Sequence, residues 1–144
     1  VPLAAGSDSN VCRGWAEDLR WLDSGQRLVH RQRNVAALPA RHDGATAARL
    51  FERLRAGGAA AAGLPAWGLQ RGARADCLVL DMQNPGLLGV PPSHALDALV
   101  FATAAPALSE VWVAGRRVVA RGVHVAGDAI ATDFAGAMAA LWPA

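Results

Sequence analysis

Lysine is missing from this chain: all 14 basic residues are arginine. A choice that uniform reads as composition before it reads as a site. The arginines alternate with Glu17, Asp18 and Asp23 along a helical pattern, which describes a solvated helix face with offset charges. No basic face is concentrated enough to point to a nucleic acid. Cysteine is nearly absent too. Cys12 and Cys77 have no C-x-x-C spacing, so a disulfide framework and a zinc ribbon are both disfavoured and a reducing, cytoplasmic setting is expected. No apolar run approaches the ~18 residues of a membrane-spanning helix, because the longest candidate breaks at Gly63, Pro65 and Gly68. A soluble protein without membrane or nucleic-acid partners is the expectation. Aromatics make up only 6% while hydrophobic residues reach 53%, much of it alanine, so the core must be built from thin side chains. Such a core is marginal without a partner.

The length is that of one ordinary domain, able to bury roughly two thirds of its unfolded surface. The first residue is Val1 rather than Met, and the chain opens directly in the apolar run Val1-Pro2-Leu3-Ala4-Ala5. Residues 1–7 are expected to be a short buried strand, and the opening suggests a strand caught in mid-protein. An amphipathic helix follows at 15–31, carried by Trp15, Leu19, Leu22 and Val29. A second helix is expected at 45–62, after Asp43 and Gly44 as cap residues, with Ala48, Leu50, Phe51 and Leu54 near one face and with Gly57 and Gly58 weakening its later half.

Past the break at residues 63–65 the pattern turns to sheet. Residues 76–81 read as a strand, 85–92 as a Pro- and Gly-rich loop and 95–102 as a short helix. A hairpin is expected from 111–113 and 118–123 around Ala114-Gly115-Arg116. Residues 129–142 close the chain as a helix with Ile130, Phe134, Met138 and Leu141 on one apolar face. A soft boundary near residue 64 divides the chain into 1–64 and 65–144. The Trp residues, led by Trp15, Trp21 and Trp112, read as packing anchors.

Gly6-Ser7-Asp8-Ser9-Asn10 carries the most chemistry, since it sets a carboxylate between hydroxyls directly after an apolar strand. At the C-terminal end of a barrel strand such an Asp can reach a metal or substrate. The plainer reading, an ordinary helix cap by Asp8 or Ser9, is the commoner one on residue chemistry alone. Four histidines, His30, His42, His94 and His124, form no His-x-His pair and read as surface or structural residues. Gly57-Gly58 lacks the Lys-Ser/Thr of a phosphate loop, and Ser7 and Ser9 lack the flanks of a nucleophile elbow.

Gly6-Ser7-Asp8-Ser9, then Ala16-Glu17-Asp18-Leu19-Arg20-Trp21-Leu22 and Gly25-Gln26-Arg27-Leu28, resemble the last barrel strand and helix of the formimidoylglutamate deiminases, a branch of the amidohydrolases. Gly68-Leu69-Gln70-Arg71-Gly72-Ala73-Arg74-Ala75-Asp76-Cys77-Leu78-Val79-Leu80-Asp81 is similar to the stretch by which amidohydrolases re-enter a small β-sandwich, and Val111-Trp112-Val113-Ala114-Gly115-Arg116-Arg117-Val118-Val119 resembles that sandwich's final hairpin. The likeness runs from Val1 to Trp142. It departs at Asn10, where relatives are expected to carry His, and at Cys12-Arg13-Gly14, which replaces a Ser-rich turn.

The resemblance implies an α/β fold: the C-terminal part of a (β/α)8 TIM-type barrel, its last strand and helices in 1–64, plus part of a flanking β-sandwich with a closing helix in 65–144. It implies hydrolysis of N-formimidoyl-L-glutamate, a small-molecule substrate of histidine breakdown, by a cytoplasmic and homodimeric parent that uses one divalent metal, zinc by preference. Asp8 is then both a metal ligand and the acceptor of a proton from metal-bound water. A catalytic zinc site takes about three protein ligands. This chain offers one, so alone it is expected to be inactive. The other readings are a different amidohydrolase, of the purine or pyrimidine aminohydrolase type, and a non-catalytic module whose apolar helices pair with a partner.

Overall fold

A computed structural model describes residues 3–6, 13–42, 44–104 and 107–142. Its elements, in order, are α1 (Trp15–His30), α2 (Pro39–His42), α3 (Thr46–Ala61), β1 (Cys77–Leu80), a 3₁₀ turn (Pro92–His94), α4 (Ala95–Phe101), β2 (Leu108–Val113), β3 (Arg116–Ala120), β4 (Val123–His124) and α5 (Gly127–Leu141).

α1 forms where the apolar period predicts it. Glu17 and Asp18 occupy its first turn and Arg27 and His30 its last, each sign placed where the helix dipole favours it. It ends with Arg31 in the left-handed region, φ 51°, where Arg31 N–H donates to Leu28 O and Gln32 N–H to Arg27 O. These paired bonds satisfy carbonyls that the last turn would leave unpaired. α3 presents Ala47, Leu50 and Gly57 as its buried stripe and runs unbroken through Gly57 and Gly58.

The helical core joins Leu19, Ala47, Leu50 and Val100, with Leu3, Trp15, Leu22, Leu54 and Leu96 packed around it. A second cluster of Leu87, Leu99 and Ala107 lies beside it and shares Trp15 and Leu96. Helix α4 therefore reaches from the sheet side of the chain back onto α1 and α3. Arg49 holds the linker between α1 and α3 by donating to Ala36 O at 2.7 Å and Ala37 O at 3.1 Å.

The four strands form one antiparallel sheet in the order β1-β2-β3-β4. Both hairpin loops have two residues at positive φ, Ala114 (49°) with Gly115 (76°) and Arg121 (50°) with Gly122 (75°). That geometry matches the twist of the flanking strands. The register slips once in each of the first two pairings, between Val79 and Leu80 and between Val111 and Trp112. No strand residue is fully buried, so among the described residues the sheet is a layer without a second layer on it.

Several expectations are corrected. Residues 3–6, the described part of the strand expected at 1–7, join no ladder, and Ala4, Ala5 and Gly6 are exposed. A strand needs a neighbour to pair with, and among the described residues none pairs with this segment. The strand expected at 118–123 is divided by the turn at Arg121 and Gly122. Asp43 lies outside the described residues, and Ala45, at the cap position of α3, makes no side-chain cap bond. At the start of α3, Asp97 of α4 supplies a cap, its Oδ1 accepting Ala47 N–H at 3.1 Å. Trp21 is no anchor here, being 68% exposed, and α5 leaves Phe134 and Leu141 65% and 72% exposed. β1, β2 and β3 share one sheet, which residues 3–6 do not join.

Candidate functional site

The site expected from sequence centres on Asp8, which lies outside the described residues, as do Ser7, Ser9, Asn10 and Cys12. The structure does describe the segment leading to it. Leu3 is half-buried and packs into the helical core. Its backbone lies directly against Gly57 of α3: a Cβ placed on Gly57 would come within 2.5 Å of Leu3 C and 2.8 Å of Leu3 N. One residue on, a Cβ on Gly58 would sit 3.0 Å from the Trp67 ring. The two glycines of α3 thus admit two separate parts of the chain.

Trp67 ties this end of α3 to the sheet. Arg55 donates to its carbonyl oxygen, and its own Nε1 donates to Asp76 Oδ2 at 2.9 Å. Asp76 is a knot. Its Oδ2 also accepts Arg74 Nε at 2.7 Å, while its Oδ1 accepts the N–H of Ala114 in the hairpin loop at 2.7 Å. The Arg74 hydrogen bond, then the Ala114 N–H, hold its carboxyl below the usual carboxylate range. Glu110 is lowered as well, first by Trp112 Nε1 at 2.8 Å and then by Arg117. The Arg117 guanidinium also lies over the Trp112 ring, 5.8 Å from its centroid.

The histidines do not converge. His30 is exposed at the end of α1, and exposed His94 has its Nδ1 3.0 Å from Ser93 Oγ. His124 Nδ1 accepts Ala126 N–H at 3.1 Å, and the side chain of His42 lies outside those described. Among the described residues no three His, Cys, Asp or Glu side chains come together as metal ligands. The residues described therefore do not fit a complete metal site.

Comparison with known proteins decides what this partial site resembles. Over 133 residues, 92% of the chain, it is 41% identical to formimidoylglutamate deiminase of Pseudomonas aeruginosa. The crystal structure of an amidohydrolase from Brucella melitensis superposes on 96% of the chain with a TM-score of 0.82 and 37% identity. The chain resembles an amidohydrolase. No family model matches it. It spans 29% of the Pseudomonas enzyme and 30% of the Brucella chain, so most of either amidohydrolase has no counterpart here. The resemblance to amidohydrolases read from the sequence is borne out.

Three residues that organise the described structure escaped the sequence reading. Gly57 looked like a weak point in a helix and Asp76 like a strand residue, while Asp97 drew no reading beyond its place in a short helix. A buried glycine at the spacing of Ala47, Leu50 and Leu54 was the available signal for the first. Asp97 and Asp76 make bonds spanning 50 and 38 residues, which local pattern does not show.

Proposed function

We propose that this chain is the C-terminal part of a formimidoylglutamate deiminase, an amidohydrolase that hydrolyses N-formimidoyl-L-glutamate with one water to N-formyl-L-glutamate and ammonia in histidine breakdown. The observation that carries the reading is 41% identity sustained over 92% of the chain. In this proposal residues 1–64 close a (β/α)8 barrel, and 65–144 form one layer of the adjoining sandwich with its helix. The complete enzyme is a cytoplasmic homodimer holding one divalent metal, zinc by preference, that supplies activated water when bound. Asp8 is the ligand and proton acceptor contributed from this chain. The remaining ligands belong to the part of the protein outside it. The bareness of the sheet and of α5 supports this reading, because both are surfaces that a larger protein covers.

The test supplies this chain together with the unmatched part of the Pseudomonas relative and measures ammonia release from N-formimidoyl-L-glutamate. Turnover is expected with the pair and with neither piece alone. Asp8→Asn, introduced into the pair, is expected to lower kcat by about 10²-fold or more. The reading is refuted if the relative's own C-terminal piece restores activity in this format and the present chain does not. Release of ammonia from a purine or pyrimidine, with none from formimidoylglutamate, moves the assignment to another amidohydrolase.

A further inference from the structure

Four glycines, Gly25, Gly57, Gly58 and Gly136, lie in the interiors of long helices, in settings that differ sharply. Gly25 of α1 and Gly136 of α5 have nothing within 4 Å of where a Cβ would stand. Gly57 of α3 is buried and has the Leu3 backbone there. It continues the stripe of Ala47, Leu50 and Leu54 at intervals of three and four residues, so its position belongs to the helix's core face. Along that stripe Leu50 is buried and Leu54 packs against the cluster. At Gly57 the stripe presents no side chain, and a piece of backbone fills the place. Glycine inside a helix is unfavourable relative to alanine unless something requires it, and here close approach of two backbones does.

We infer that Gly57 is a positioning residue: its bare Cα seats the backbone of Leu3 against α3 and so fixes the segment 3–6, from which the chain continues to Asp8 two residues later. The side chain of Leu3, packed into the core, holds the segment from one side, and Gly57 sets its depth on the other. The clash that any larger residue creates is with main-chain atoms, so no rotamer change of Leu3 relieves it. The relevance to catalysis rests on the deiminase reading; the seat itself does not.

The experiment has two arms. By NMR, the unmodified chain should show nuclear Overhauser contacts from the Gly57 Hα protons to Leu3 and from the Leu3 methyls to Leu50. Gly57→Ala should abolish the Leu3–Leu50 contacts, whereas Gly25→Ala, the same change in open space, should keep them. Absence of Gly57–Leu3 contacts in the unmodified chain overturns the proposal, whether or not Gly57→Ala folds. Leu3–Leu50 contacts retained in Gly57→Ala overturn it as well. In the second arm the chain is paired with the unmatched part of the Pseudomonas relative. There Gly57→Ala should lower kcat about a hundredfold, the scale of an ångström-level misplacement, with KM within about twofold. A Gly57→Ala pair that turns over within about twofold of the unmodified pair refutes the positioning role. If the unmodified chain gives no activity where the relative's own piece does, the deiminase reading fails, and the NMR arm still decides the seat.

Discussion

Leu19 and Leu28 lie on the same helix nine residues apart, and truncating each to alanine isolates burial as the variable. Leu19 is 1% exposed and touches a core whose other buried members are Ala47, Leu50 and Val100. Small alanines cannot swing in to fill a vacated space. Leu19→Ala should therefore fall near the middle of the ~2.7–5 kcal/mol range for buried leucines, about 3–4 kcal/mol. A chain of this size has a total stability on the order of 7–20 kcal/mol, so that loss is a large share. At roughly 3 °C per kcal/mol it lowers Tm by about 10 °C. Leu28 is 79% exposed, and Leu28→Ala should stay within ~0.5 kcal/mol. Thermal melts followed by far-UV circular dichroism, at two protein concentrations roughly tenfold apart, separate folding from self-association. Equal losses for the two variants at both concentrations would show that α1 does not face the core through Leu19.

Other outcomes follow from the same geometry. Asp76 binds its proton less readily folded than unfolded, so its contribution is complete above about pH 4 and is lost as pH falls toward its lowered value; Asp76→Asn should flatten that part of a Tm-against-pH curve, and an unchanged curve refutes the knot. Ala114→Asn keeps the N–H that Asp76 accepts and suits the positive φ of 49°, so it should raise stability by about 0.5–1 kcal/mol in a denaturant titration; a lower midpoint counts against this loop geometry. Phe134→Glu should reduce the self-association of the isolated chain in sedimentation, since Ile130, Phe134 and Leu141 form an uncovered apolar face; an unaltered distribution places the association elsewhere.

Legibility followed the range of the forces. The helices expected at 15–31 and 45–62 occur at Trp15–His30 and Thr46–Ala61, because an amphipathic period is written in neighbouring residues. Strand 76–81 occurs as Cys77–Leu80 for the same reason. The strand at 118–123 was misread because Arg121 gives no sign of its left-handed φ; only Gly122 marks the turn. The apolar face of α5 was legible, whereas its lack of a covering layer was not, since a pattern names what can be buried and not by what. The cap that Asp97 gives α3 is supplied across 50 residues by packing that no local signal encodes. Of the candidate site, Asp8 was readable only through resemblance, and the role of Gly57 only through the approach of Leu3.

The return of α4 onto α1 and α3 sets an order for synthesis. Leu19 and Leu50 emerge early, but the core they belong to closes on Val100, so at about 5–20 residues per second Leu19 waits some 4–16 s for its last partner. The hairpins of β2, β3 and β4 need no such delay, being joined by two-residue loops. Chains released before residue 95 should therefore be cut readily by protease within α1 and α3, and chains extending past residue 107 should resist. Until α4 emerges, α1 and α3 lack that partner, which makes the interval before α4 the period when a chaperone has the most surface of these helices to hold.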